Sequence, residues 1–224
     1  MRALLQGSYP GFEQARVTVL DKLTYAGNRA NLEPVAASPG FSFIRGDICD
    51  GALLSSVVPG HDAVINFAAE THVDRSIAGA SPFVTNLLDG LKVPLYGDGQ
   101  NVRGWLHVDD HCRGIQLVLE RGEPGGVYHI NGDTELTNIE LARALLECCG
   151  ADWEMVAHVE DRKGHDRRYS LDDSLLRSMG FAPRIRFSQG LADTVRWYQR
   201  NRGWWEPLKR AAHGVPAARG QVTL

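Results

Sequence analysis

The chain has 224 residues, 43% hydrophobic and 23% charged, with a net charge of -3. That balance fits a soluble globular protein and argues against disordered, fibrous, nucleic-acid-binding and membrane-surface chains. No apolar run approaches the ~18 residues of a membrane span and MRALLQGSYPG carries no signal-peptide core, so a cytoplasmic protein is expected.

The first third alternates short apolar runs with helical stretches. Val17–Leu20 is predicted to be a buried strand, closed by Asp21. Phe41–Ile44 is predicted as a second strand, followed by Gly46-Asp47, and Asp50–Val58 as a short helix stopped by Pro59-Gly60. Ala63–Phe67 has the composition of a third strand, leading into Ala68-Ala69-Glu70. Strands separated by short helices predict parallel βαβ units.

The second half differs. Val93–Tyr96 is predicted as a strand ending in the turn Gly97-Asp98-Gly99, Trp105–Val108 as extended chain, and Asp109 as the N-cap of a helix to about Glu120. Val127–Ile130 is predicted as another strand. Thr137 with Glu140 three residues on makes a capping box for a helix to about Cys149. A helix from about Asp172 to Met179 should stop at Gly180 before Pro183, and the last helix should run from about Ser188 to Asn201, with a tail after Lys209 expected to fray. Cys49, Cys112, Cys148 and Cys149 show no metal-binding spacing and are expected to be buried thiols. The expected class is α/β: an incomplete Rossmann-like parallel sheet over residues 1–91, a smaller α/β substrate-binding part over 92–210, and a tail over 211–224.

Asp21 is the first residue to carry chemistry. An acid at the tip of the second Rossmann strand accepts the adenosine ribose hydroxyls of NAD and repels a 2′-phosphate, although a turn aspartate would have the same look. Asp47 and Ile48 could meet an adenine edge, and the small Ala68 and Ala69 would let a dinucleotide approach the backbone. The Gly-rich turn that should lie about twenty residues before Asp21 is absent. Only Gly7 and Gly11 precede it, with Tyr9-Pro10 between them.

Five strings together resemble dTDP-glucose 4,6-dehydratases, extended short-chain dehydrogenases of the NAD-dependent epimerase/dehydratase family. They are DKLTYAGNRANL from Asp21, GDI from Gly46, FAAETHVDRSI from Phe67, PLYGDGQNVRGWLHVDDHCRGI from Pro94 and DRKGHDRRYSLD from Asp161. RWYQRNRGWWEPL from Arg196 is similar to the forms found in antibiotic deoxysugar pathways of actinomycetes. The resemblance implies cofactor contacts at Asp21, Lys22, Leu23, Thr24, Asp47, Ile48, Ala68, Ala69 and Glu70. It implies contacts to a dTDP-sugar nucleotide at Thr71, Pro94, Leu95, Tyr96, Arg103, Asn138, Arg162 and His165, with the two arginines on the diphosphate; surface ion pairs are the plain alternative for them. No nucleic acid, membrane or metal is implied.

Departures from the family pattern are large. The phosphate loop should lie between Arg2 and Ala3. A second block of about 100 residues, holding the Thr-Asp-Glu strand and the Tyr-x-x-x-Lys helix, should lie between Thr85 and Asn86. None of the six tyrosines has Lys four positions later, and Asp133-Thr134-Glu135 has the wrong order, so no catalytic residue of the family is present. Gly104 stands where the family usually has Asp. The helices through which the family forms a homodimer flank the missing Tyr, which removes that basis for expecting one here. The resemblance thus implies conversion of dTDP-glucose to dTDP-4-keto-6-deoxyglucose with NAD as internal hydride carrier. Three alternatives stand beside it: a shortened, non-catalytic chain that binds dTDP-sugar weakly, a regulatory or scaffolding relative, and another NAD-dependent nucleotide-sugar epimerase or reductase.

Overall fold

The computed structural model describes residues 1–24, 27–68, 80–161 and 164–212. The chain divides into two units, Met1–Asp74 and Arg75–Leu224.

In the first unit a four-residue helix α1 (Arg2–Leu5) precedes strand β1 (Val17–Asp21). A 3₁₀ segment, Arg29–Val35, follows; Asn28 caps it by accepting the Ala30 N–H. Strand β2 (Phe41–Arg45) pairs in parallel with β1, from Val17 opposite Phe41 to Asp21 opposite Arg45. Helix α2 (Gly51–Val57) follows, capped by Asp50, whose Oδ1 takes the Ala52 and Leu53 N–H groups. These elements match the expected βαβ start.

The third expected strand does not form. Residues 63–67 have no ladder partner among the described residues, and Val64 and Phe67 are 68% and 73% exposed. β-branched composition fits a pleated, half-buried surface. Without a neighbouring strand to supply hydrogen bonds and an opposing face, that composition alone does not make a strand.

In the second unit helix α3 (Ala80–Leu88) leads to β3 (Val93–Tyr96), β4 (Val102–Trp105), α4 (Val108–Arg121), β5 (Thr134–Thr137) and α5 (Asn138–Cys149). A 3₁₀ turn, Trp153–Met155, precedes β6 (Val156–Val159), and α6 (Ser174–Ser178), α7 (Phe187–Arg200) and α8 (Arg202–Ala212) complete it. β3 pairs in parallel with β6, and β4 antiparallel with β5. Val84, Leu141, Leu145, Leu191 and Val195 form one apolar cluster between α3, α5 and α7. Leu95, Leu146 and Val156 form a second, on the other side of α5. Leu87 packs against both.

α3 runs unbroken through Thr85–Asn86, where the family pattern places the end of one block and the start of another. Val84 and Thr85 are both buried there, so the join is packed and continuous. Its C-terminal end is closed by α8: the Arg202 guanidinium donates to the Leu88 carbonyl at 2.7 Å, and Lys209 Nζ lies 2.6 Å from Asp89 Oδ2. Cations at a helix C-terminus meet its exposed carbonyls and the negative end of its dipole.

Several expected boundaries move. The extended stretch expected over Trp105–Val108 begins earlier, as β4 ending at Trp105, and Val108 already opens α4. The cap of α4 is His107, whose Nδ1 accepts the Asp109 N–H at 3.2 Å, rather than Asp109. Residues 127–130 are not a strand; the Tyr128 hydroxyl accepts the Glu123 N–H, and His129 Nδ1 meets the Asp172 carbonyl. Side chains hold that stretch where no ladder does. α6 is shorter than expected at both ends, and α8 carries helix past Lys209 to Ala212. The thiols are free, but Cys49 and Cys148 are exposed rather than buried.

Candidate functional site

The first unit presents its candidate residues at the carboxyl ends of parallel strands, where open α/β sheets bind ligands. Asp21 closes β1, and its Oδ1 accepts the Leu23 N–H at 2.6 Å. That turn sets Leu23 at φ 55°, the left-handed region. Lys22 Nζ lies 2.5 Å from Asp47 Oδ2, and Asp47 Oδ1 accepts the Cys49 N–H. The Lys22 hydrogen bond, helped by the Cys49 N–H, holds the Asp47 carboxyl below its usual value. Ile48 is exposed beside it. Thr24 follows the turn, and the Ala68 N–H is taken by Asn66 Oδ1. Ala69 and Glu70 lie outside the described residues. Ahead of β1 the described residues form no strand and no glycine-opened helix of useful length: Gly7 and Gly11 sit in turns after the four-residue α1.

The second unit gathers a polar cluster around Arg103 on β4. Two glycines with positive φ, Gly97 and Gly99, turn the chain sharply after Tyr96. The Ile139 N–H then donates to the Gly99 carbonyl, and the Asn138 N–H to the Asn101 carbonyl. Thr137 Oγ1 takes the Glu140 N–H. The leading N–H groups of α5 are therefore satisfied by the protein, and this helix start is not an anion site. Donors that an anion could meet here come from side chains.

The stretch from His165 to Tyr169 is held against β4: the Val102 N–H donates to the Arg167 carbonyl at 2.8 Å, and the Tyr169 N–H to the Val102 carbonyl at 3.2 Å. One Arg103 terminal nitrogen donates to the Asp166 carbonyl at 3.1 Å and lies 3.2 Å from His165 Nε2; the other donates to the Val102 carbonyl. The guanidinium carbon stands 4.2 Å from the Tyr169 ring centroid, a cation–π distance. Three of the five donors of the fork are thus engaged, which fixes its plane and leaves two N–H groups for a ligand among the described residues. His165 Nδ1 lies 2.7 Å from Asp161 Oδ1.

The remaining candidates divide. Tyr96, at the tip of β3, is half-buried. Leu95 turns into the second apolar cluster, so only its backbone can face a ligand, and Pro94 lies between it and the buried Val93. Asn138 opens α5. Thr71 and Arg162 lie outside the described residues. A Cβ on Gly104 would come 2.7 Å from Asn131 Oδ1, so the aspartate of the family pattern would have to turn the Asn131 side chain aside. Asp133 and Glu135 are taken up in ion pairs with Arg177 and Arg168. Asp161 and Tyr169 were not among the expected contacts. Asp161 stands four residues before His165 in the same string, a spacing that could have disclosed it.

The chain matches the GDP-mannose 4,6 dehydratase family over residues 4–90 and 80–194. The two stretches overlap at the Thr85–Asn86 join, as expected if one helix carries parts of two family helices. A dTDP-glucose 4,6-dehydratase of Streptomyces niveus is 41% identical along 99% of this chain and 95% of its own length. One from Streptomyces antibioticus is 40% identical along 96% and 92%. The first alignment is 320 positions long, more than 224 residues can fill, so it opens gaps in this chain. Among solved structures, a dTDP-glucose 4,6-dehydratase from Streptomyces venezuelae with NAD and TYD bound matches with a TM-score of 0.86 and 42% identity, covering 92% of this chain and 94% of that one. A dTDP-glucose 4,6-dehydratase from Bacillus anthracis in complex with NAD matches with a TM-score of 0.79 and 28% identity, covering 92% and 95%. With a family match along most of its length and close relatives along nearly all of it, this chain belongs to the dTDP-glucose 4,6-dehydratases of actinomycete type.

Proposed function

We propose that this chain serves deoxysugar biosynthesis as a dTDP-glucose 4,6-dehydratase-type protein, and that its own residues supply the recognition part of that work. The carrying observation is the Arg103 fork, held in plane by Asp166, His165 and Tyr169 with donors to spare. A rigid, permanently charged fork is the side chain suited to a diphosphate.

The relatives' cofactor, NAD, would supply a hydride acceptor. The residues present fit its adenosine end: Asp21 for the ribose, and Lys22, Asp47 and Ile48 beside the adenine. They do not fit its pyrophosphate, because no strand–turn–helix precedes β1 among the described residues. Oxidising the sugar at C4 and eliminating water across C5–C6 each need a placed proton carrier, and losing one such group costs roughly 10²–10⁴ in rate. The sequence has no Tyr-x-x-x-Lys and no Thr-Asp-Glu. That absence favours a chain that binds the nucleotide and does not turn it over.

Calorimetric titration with dTDP, beside an assay for 4-keto-sugar from dTDP-glucose and NAD, tests both parts. Binding that Arg103→Ala abolishes, with no keto-sugar formed, is the expected result. Absence of dTDP binding overturns the recognition reading; measurable keto-sugar overturns the reading of the chain as non-catalytic.

A further inference from the structure

The imidazole of His165 is almost fully buried between a donor-only group and an acceptor-only group. Its Nε2 faces the Arg103 guanidinium at 3.2 Å, and its Nδ1 faces Asp161 Oδ1 at 2.7 Å. A guanidinium has no acceptor and a carboxylate no donor. The ring proton therefore belongs on Nδ1, leaving Nε2 bare toward Arg103.

Space for the carboxylate comes from Gly97. Its φ is +55°, and a Cβ there would come 2.8 Å from both Cβ and Oδ2 of Asp161. The glycine thus does more than turn the chain after β3: it makes room for the group that orients His165.

We infer that Asp161, seated against Gly97, is a positioning residue of the diphosphate site: by holding the Nδ1–H of His165 it presents Nε2 as an acceptor that fixes the Arg103 fork. This deepens the reading of Arg103 as the diphosphate contact and rests on it. Without Asp161 the ring is free to carry its proton on Nε2, which sets a donor against the donors of Arg103 and releases the fork.

The test titrates dTDP into the full chain and its variants, with ring ¹⁵N shifts of His165 read by NMR. Asp161→Ala is expected to weaken dTDP about tenfold, a loss of the size seen when an orienting partner is removed from a ligating histidine. Asp161→Asn, whose amide oxygen still accepts from Nδ1, is expected to stay within roughly threefold of the parent. Gly97→Ala should follow Asp161→Ala. On a His165→Ala background, Asp161→Ala should add no further loss, because it acts through the ring. The ¹⁵N shifts should report a proton on Nδ1 in the parent and in Asp161→Asn, and a tautomer mixture in Asp161→Ala. Parent-like affinity in Asp161→Ala beside a weakened Arg103→Ala overturns this inference alone, as do losses that multiply in the double variant. Full affinity in Arg103→Ala overturns the diphosphate reading and this inference with it.

Discussion

Lys22 Nζ stands 2.5 Å from Asp47 Oδ2, tying the tip of β1 to the tip of β2. The Lys22 side chain is well exposed and that of Asp47 about one-third exposed, so water and salt screen the pair and it adds little to folding. Its consequence is local: it orders the edge that would meet an adenosine. Lys22→Met is expected to leave the thermal midpoint unchanged in physiological salt, as differential scanning calorimetry would show. A drop of several degrees would mean that the pair supports the unit.

On the proposed reading the same unit would meet an adenosine but, among the described residues, has no pyrophosphate cradle, which predicts an unusual affinity series. In a complete dinucleotide site the helix N-terminus adds most to the phosphates. Here adenosine, ADP and NAD should bind within roughly threefold of one another, near the millimolar range in which a few weak contacts leave a ligand. Saturation-transfer NMR across the three ligands measures this. Marked tightening from adenosine to ADP would show a phosphate site that the described residues do not form.

Thr137 and Glu140 close a reciprocal cap at the start of α5. Glu140 Oε2 accepts the Thr137 N–H at 2.7 Å, and Thr137 Oγ1 accepts the Glu140 N–H at 3.2 Å. Thr137→Ala should cost about 1 kcal/mol in denaturant titrations. The N–H of Thr137, then its hydroxyl, holds the Glu140 carboxyl below its usual 4.5. A carboxyl lowered by folding stabilises the native state fully above its unfolded value and loses that effect as pH falls through the folded value. Glu140→Gln should therefore flatten the stability curve only below about pH 4.5, leaving the neutral-pH slope unchanged.

How much of this was legible follows from what each element needs. Thr137–Glu140, Asp50 and Gly97–Gly99 are local signals, satisfied by neighbours within a few residues, and the chain folds at each as its residues predict. Ala63–Phe67 and Val127–Ile130 have strand composition, but a strand is made by its partner, and none is beside them among the described residues. At the site, Arg103 and His165 could each be placed on a family string, one from Pro94 and the other from Asp161, yet their apposition depends on the 165–169 stretch lying along β4. That pairing is long-range and left no periodic mark. The continuity of α3 through Thr85–Asn86 was equally hidden, since the family pattern places a long block between those two positions.

Asp110 is fully buried at the start of α4. Burial alone would raise its carboxyl, but the N–H groups of Ile185 and Arg184 and the Arg113 guanidinium together hold it below the usual 3.8. It fastens the 184–185 backbone to α4 through contacts of 3.0 and 3.1 Å. Asp110→Asn must turn an amide NH₂ toward at least one of these donors. Breaking a buried ionic network in this way costs about 3–5 kcal/mol. Chemical denaturation should show that loss at neutral pH, narrowing below pH 3.8 as the parent carboxylate takes up its proton. A loss under 1 kcal/mol would mean that the network relaxes around the amide.

Val64, Ile65 and Phe67 lie exposed in one short segment with no ladder partner among the described residues. An apolar, β-prone run with unpaired backbone groups is a template for another chain. Nothing in its charge opposes that, for the nearest acid ahead of it is Asp62 and the run itself carries none. Light scattering on the full chain should therefore rise with concentration in the micromolar range, faster at high salt, where screening of the net charge of -3 removes the remaining repulsion. Val64→Lys with Phe67→Lys should suppress that rise. Because both side chains already face solvent, the pair should shift stability by no more than about 0.5 kcal/mol. Suppressed scattering at unchanged stability places the association on this segment; unaltered scattering places it elsewhere on the chain.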